Sequence, residues 1–479
     1  MTYLEGLPDP PAERGGSSPS RGRTFGLLVA SVAVVAGAVF AAVNLAGGEA
    51  NEPTDPVRAI FDAAERGDAI GMLEQLEPGE RDALRDPLVD LTKELNRLGV
   101  LEDASLSKVT GYELDIRDLE LRSNELRDGV QSVRITGGRS TYTVDPSKLP
   151  LGPFTLGLAG GEPQAGATST GSSELRSEGP DDEVVVVRRG DRWYVSLGYT
   201  VAEAARRSSG LASSDLGPGV EPEGADSPED AVRGLFTAAT GLDPRGVIAL
   251  LPPGEMGAVQ EYAGLFLDEL ELGARYARRS TSITMPTLEL DADTDGSHAL
   301  VTIKAVEVDV DVDGGRTSFA YRDGCVELQT PTEDPVRQCQ GDDPDQAIRD
   351  LNRRRGDAVE VPPLPAFSFL DKRIETGFAA TRVDGKWYVS PTRTVLDNLV
   401  IALRALEPGD LEKGRDWWRA LQDSFESSFD ESLRGSIDGW SDLPSGSDEP
   451  DDSSPAGPTT TAPATTAPGR APVSAPPVY

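Results

Sequence analysis

Apolar and polar positions along this chain follow a helical period first and a strand period later, and the whole order then occurs a second time. Val57, Ile60, Phe61 and Ala64 stand at i, i+3, i+4 and i+7, and Val232, Leu235, Phe236 and Ala239 repeat the spacing, so each set predicts a helix with one apolar stripe. Asp55 before Pro56, and Ser227 before Pro228 and Asp230, supply start signals: a side-chain oxygen for the unpaired amides of the first turn, then a proline whose missing N–H is no loss there. A Leu-x-Pro-Gly-Glu step, Leu76 to Glu80 and Leu251 to Glu255, precedes a second amphipathic stretch over 80–98 and 255–272. The period then becomes two. Leu119, Leu121, Val130, Val133 and Ile135 alternate with polar residues in the first half, and Leu288, Leu290, Leu300, Val301, Ile303, Val306, Val308, Val310 and Val312 do so in the second. Turns at Gly190-Asp191 and Asp384-Gly385 lead into closing strands that share Trp-Tyr-Val-Ser, at 193–196 and 387–390. Helices followed by a strand meander predict an α+β fold, with helices packed on one face of an antiparallel sheet.

Shifting the chain by 175 positions lays Val57 on Val232, Asp68 on Asp243 and Pro78-Gly79-Glu80 on Pro253-Gly254-Glu255 without a gap. Gly137-Gly138-Arg139 match Gly314-Gly315-Arg316 at offset 177, and Trp193-Tyr194-Val195-Ser196 match Trp387-Tyr388-Val389-Ser390 at offset 194. Landmarks in one order at a long period predict a duplicated domain, with copies over 51–206 and 227–406, and residues 227–406, with their own helices, strands and closing Trp387 strand, are expected to fold alone. The rise of the offset from 177 to 194 puts 17 extra residues in the second copy, in the stretch that holds both cysteines.

The opening stripes, the Leu-x-Pro-Gly-Glu steps and the closing Trp-Tyr-Val strands together resemble the nuclear transport factor two-like superfamily, over roughly 55–206 and 227–406. The resemblance implies cone-shaped domains whose helices wrap a curved antiparallel sheet. Such domains serve as binding modules, as assembly partners and less often as enzymes, so it selects no activity.

Residues 25–46 (FGLLVASVAVVAGAVFAAVNLA) form 22 positions without a charge, and a helix of that length crosses a hydrocarbon core about 30 Å thick. Arg21 and Arg23 precede the run and Glu49, Glu52 and Asp55 follow it, so the basic flank stays cytoplasmic and the chain from Gly47 onward lies outside. A cleaved signal peptide is the competing reading, but its apolar core is typically about 7–15 residues. The sequence then divides into a short disordered cytoplasmic tail at 1–24, the membrane helix, the two copies with a Gly/Ser/Pro-rich linker at 207–226, a helical extension at 407–448, and a Pro/Thr/Ala-rich disordered tail at 449–479. A Gly/Ser/Glu-rich insertion at 160–182 is expected to be unstructured. In the extension, Trp417 and Trp418 are expected to pack on the second copy, because Asp416, Asp423 and Glu426 oppose a membrane surface.

A formal charge of −35, from 81 acidic and 46 basic residues, repels phosphate backbones and sets nucleic acid aside as a partner. The single histidine, His298, beside Asp293 and Asp295, reads as a solvated hairpin residue and not as a catalytic base. Two cysteines and one histidine do not make a zinc site, and no Gly-rich phosphate loop occurs, so no cofactor or metal is expected. Asp291, Asp293, Asp295 and Gly296 fit the first half of a calcium loop, but Thr302 occupies the place of its bidentate glutamate; Asp309, Asp311 and Asp313 repeat the alternation, which favours acidic strand faces.

The chain therefore reads as a non-enzymatic, membrane-anchored module outside the cytoplasm that binds or assists an envelope protein, a wall polymer or a small ligand. The other readings are a spacer reaching into the wall and a hydrolase or isomerase that uses a domain pocket. Cys325 and Cys339 are the only cysteines and stand on the oxidising side, so they are expected to be disulfide-bonded. Mass analysis of the chain alkylated without reduction should find no alkylated cysteine; two alkyl groups would refute the bridge.

Overall fold

The computed structural model describes residues 51–441, apart from 180–181, 333, 340–341, 344–345, 347, 350–360, 369–371 and 373. The apolar run at 25–46 and the tail at 449–479 lie outside the described residues. Among those described, no helix is long and apolar enough to cross a membrane.

The first copy opens with α1 (Asp55–Arg66), which starts on Pro56 and ends at Gly67, where a φ of 69° suits a residue without Cβ. Its stripe is buried in a cluster with Val133, Val186, Trp193 and Val195. The short α2 (Ala69–Leu73) is capped by Asp68, whose carboxylate accepts from Gly71 N at 2.8 Å, and α3 (Pro78–Arg97) begins on the Pro-Gly-Glu step. Strands β1 (Tyr112–Arg127) and β2 (Val130–Val144) form a long hairpin around Gly129. A short helix, α4 (Pro153–Ala159), leads into β3 (Ser169–Glu174). Strand β2 pairs at its start with β4 (Val184–Arg189) and at its end with β3, while β1 runs along its other edge. β5 (Arg192–Val195) closes the sheet on β4, and α5 (Leu197–Ser209) follows.

The second copy repeats this order. It contains α6 (Pro228–Thr240), α7 (Pro244–Ala249) capped by Asp243, α8 (Pro253–Glu261), and α9 (Leu267–Ala277). Its strands are β6 (Thr281–Asp295), β7 (His298–Val312), β8 (Gly315–Arg322), β9 (Cys325–Gln329), β10 (Val336–Cys339), β11 (Gly377–Val383) and β12 (Lys386–Val389). Strand β7 pairs at its start with β11 and at its end with β8, with β6 on its other edge, as in the first copy. Helices α10 (Pro391–Ala405) and α11 (Pro408–Ser441) end the described chain. Both sheets are antiparallel, and helices lie against each, so the α+β class holds.

Register corrects one equivalence. Val130 pairs with Val187 and His298 with Thr381, each six positions before the closing tryptophan of its copy, so His298 takes the place of Val130. Gly137-Gly138 lies within β2, whereas Gly314 makes the turn between β7 and β8. The extra chain of the second copy is therefore β9, β10 and the segment that joins β10 to β11. It still contains both cysteines, which are register partners with sulfurs 2.08 Å apart.

Other expectations also change. The stretch 255–272 is not one helix: α8 ends at Glu261 and a single 3-10 turn precedes α9, because Gly264 lies against the carbonyl of Leu216 in the joining segment. That segment, 207–226, is no loose linker. Leu216 and Val220 are buried in it, and Ala225 forms a bridge with Trp387. The insertion at 160–182 contributes β3. Trp417 donates Nε1–H to Pro362 O at 3.1 Å, while Trp418 stays exposed.

The copies do not have wholly separate cores. Val130, Val185, Val187, Tyr199 and Leu216 form one cluster with Ala258 and Tyr262 of the second copy. The arrangement is close to two-fold: α3 packs on α10, its counterpart α8 packs on α5, and α3 meets α8 between them. At that crossing Gly79 faces Gly254, and a Cβ on Gly79 would fall 2.2 Å from the carbonyl carbon of Gly254. Gly79→Ala should lower the unfolding free energy by about 2 kcal/mol or more, as overpacking against backbone does. Urea melts should show both copies unfolding in one transition; two separate transitions, or a loss under about 0.5 kcal/mol, would show that the crossing tolerates separation.

Candidate functional site

The Pro-Gly-Glu step and the Trp-Tyr-Val-Ser strand meet at the junction of the copies. Proline starts the helix, glycine lets the partner helix approach, and the glutamate reaches the residues after the closing strand. Glu80 accepts from Ser196 Oγ at 2.7 Å and from the amides of Leu197 and Gly198 at 2.8 Å each. Ser196 Oγ in turn accepts from Tyr199 N. In the second copy, Glu255 accepts from Ser390 Oγ at 2.6 Å and Thr392 N at 2.9 Å, and Ser390 Oγ accepts from Arg393 N. These acidic groups occupy the first turns of α5 and α10, where free amides and the helix dipole favour negative charge. Burial pushes the Glu80 carboxyl up, against the pull of those donors.

Glu77 has no counterpart, since Pro252 stands in its place. Its side chain is 3% exposed and paired with Arg189, whose Nε donates at 2.7 Å. Burial raises its carboxyl to about 7, with the neighbouring Glu80 adding to the rise and Arg189 opposing it.

Two seams flank the crossing, and their chemistry differs. Between α5 and α8, Tyr199 packs edge-on against Tyr262 with centroids 6.0 Å apart, and the Arg127 guanidinium lies 4.9 Å from the Tyr262 ring. Tyr199 donates to Glu261 at 2.5 Å and Tyr262 to Glu203 at 3.2 Å, while Glu203 pairs with Arg206 and Arg207. Between α3 and α10 the contacts are mainly ionic. Arg97 donates to Leu403 O at 2.7 Å and Leu406 O at 3.0 Å, closing the carbonyl end of α10. Arg404 pairs with Asp90 at 2.7 Å and Glu94 at 3.3 Å, and Arg393 Nη1 donates to Asp82 O at 3.3 Å.

His298 belongs to this second seam. It is not the solvated hairpin residue that the sequence suggests: it is half-buried at the start of β7, opposite Asp295 of β6, and Arg393, Asp86, Asp397 and Asp82 act on its charge. The acidic string behaves as a strand face. Asp291, Asp293 and Asp295 are exposed on alternate positions of β6, with Asp291 3.4 Å from Lys304. Among the described residues no group of three or more His, Cys, Asp or Glu side chains could hold a metal.

A groove of about 580 Å³ lies between α6 and α7, lined among others by Asp230, Arg233, Thr237 and Asp243. Three of its polar groups are committed to the fold: Arg233 donates to Leu288 O at 3.1 Å, Thr237 donates to Arg233 O at 2.8 Å, and Asp243 accepts from Gly246 N at 3.1 Å. Arg58 makes the matching bond to Leu119 O in the first copy. The sequence marks Glu80 and Glu255 as repeat landmarks without showing their capping role, and it does not single out Tyr199, Thr381 or Arg393. The pairing of a Pro-Gly-Glu with a later Trp-Tyr-Val-Ser in both copies is the available signal.

The chain matches no protein-family model, and neither a curated protein nor a solved structure matches it.

A carboxyl raised on folding stabilises the folded state below its ordinary value, and that contribution is lost as pH rises through the folded value. With Glu77 at about 7, Glu77→Gln should gain on the unaltered chain by about 1–3 kcal/mol between pH 5.5 and pH 8. Urea melts of both proteins at the two pH values measure this; a constant difference would show that Glu77 titrates normally.

Proposed function

We propose that this chain is a non-enzymatic accessory module of the cell envelope, anchored by residues 25–46, which uses its second copy to dock another protein. The observation that carries this reading is the sheet extension. Phe319, Leu328 and Val336 are cross-strand neighbours on one face of β8, β9 and β10, with Val326 beside them. They are 39%, 39%, 53% and 39% exposed. The face continues the side of the sheet that α6 covers farther along, where Leu290, Val301 and Trp387 are packed against Ala231 and Val232. An uncovered apolar face on an inserted element of a repeated scaffold is a natural contact surface.

The opposite face carries Glu327, Arg337 and the Cys325–Cys339 pair. A cross-strand disulfide there holds the extension in one shape before contact and suits an oxidising compartment. The edge of β10 is partly closed, because Cys339 N donates to Asp342 Oδ2 at 2.6 Å. Docking thus uses the face and not strand addition. The nuclear transport factor two-like resemblance fits this reading, since binding and assembly are common uses of such domains.

A photo-reactive phenylalanine at 326 or 336 of the full chain, irradiated in its own cells, should yield a protein adduct at least several-fold more often than one at 327 or 337. Equal yields from the two faces, or no adduct from the apolar one, would sink the docking reading.

A further inference from the structure

The duplication permits a position-by-position comparison of the two seams. In the first, Val130 pairs with Val187 under Tyr199, both valines buried. The equivalent positions of the second are His298, Thr381 and Arg393. Two valines and a tyrosine have become a histidine, a threonine and an arginine in the same place. The histidine Nδ1 and the Thr381 hydroxyl are both buried there without a hydrogen-bond partner among the described residues. Unsatisfied buried polar groups are uncommon, and two on register partners mark a place where stability has been given up.

We propose that the seam between α3 and α10 is an acid-sensitive joint, in which proton uptake by His298 loosens α10 from α3 while the aromatic seam between α5 and α8 keeps the copies together. The groups that face His298 are Asp82 and Asp86 from α3, Arg393 and Asp397 from α10, its register partner Asp295 from β6, which is exposed, and the uncharged Thr381 from β11. A cation at His298 would lose part of its water and would feel the Arg393 guanidinium, which is already tied to Asp82 O and lies 3.4 Å from Asp397. Burial first and Arg393 second hold the imidazole below its ordinary value, against the pull of Asp86, Asp397 and Asp82.

A histidine depressed on folding contributes stability above its ordinary value, and this is lost as pH falls. Asp397, raised mainly by burial, works in the opposite sense, as does Glu77 elsewhere. The whole-molecule melting temperature therefore mixes these effects, and the joint must be read locally.

His298 is the only histidine, so its ring signals in a proton–nitrogen correlation spectrum of the full chain in detergent are identified without assignment. Its titration midpoint should lie below 6.5, the ordinary value. In hydrogen exchange, α10 amides should lose at least about threefold in protection relative to α5 amides when pH drops from about 7.5 to about 5.5, because the histidine binds a proton more readily once α10 has opened. His298→Val combined with Thr381→Val, which installs the pair found in the first copy, should abolish that relative loss. A midpoint at or above 6.5, a loss shared equally by α5, or the same loss in the double variant would each overturn the proposal. If the double variant does not fold, the titration midpoint decides alone.

Discussion

Glu80 and Glu255 each bring a carboxylate from the helix that opens on Pro-Gly-Glu to the first turn of that copy's last helix, and this tie positions both helices that each copy brings to the junction. The start of α5 is tied to α3 through Glu80 and the start of α10 to α8 through Glu255, while α3 packs on α10, α8 on α5 and α3 on α8, so the four helices are joined at the junction. Gly79 and Gly254, each one residue before its glutamate, are where the backbones of the two helices pass each other. Buried carboxylates are costly when unpaired, so the donors at the helix starts are a condition of the fold.

The tie is symmetric, but its surroundings are not. One seam buries aromatic rings around Arg127, and the other crosses arginines of α10 with acids of α3. Dispersion and apolar burial vary little with pH, whereas ion pairs and an enclosed imidazole respond to it. A duplicated scaffold can therefore keep one junction constant and make the other responsive without changing the backbone plan.

Much of this was legible in the sequence, for reasons that can be named. The stripe Val57 to Ala64 buries one face of α1, and Val232, Leu235 and Phe236 cover the sheet from α6 although Ala239 stays exposed; burial of one face imposes the 3.6-residue period. The turns at Gly190 and Asp384-Gly385 take positive φ, as hairpin chemistry requires. The seam was not legible. Val130 and His298 share no sequence neighbourhood, and only the pairing with Val187 and Thr381 shows that they are the same place. The segment 207–226 misled because composition reports local propensity, while Leu216 and Val220 are ordered by residues far along the chain. The false match of Gly137 with Gly314 has a similar cause: glycine marks a β2 irregularity in one copy and a hairpin turn in the other.

The Asp342 carboxylate on the Cys339 amide bears on how this molecule coexists with its own kind. A bare strand edge beside an apolar face would be a template for indefinite growth, each new copy offering the same edge to the next. With one amide of a four-residue edge occupied by a charged side chain, that ladder lacks a regular first rung. The apolar face can then remain uncovered without seeding fibres, and crowding the protein onto a surface would raise its local density without polymerising it.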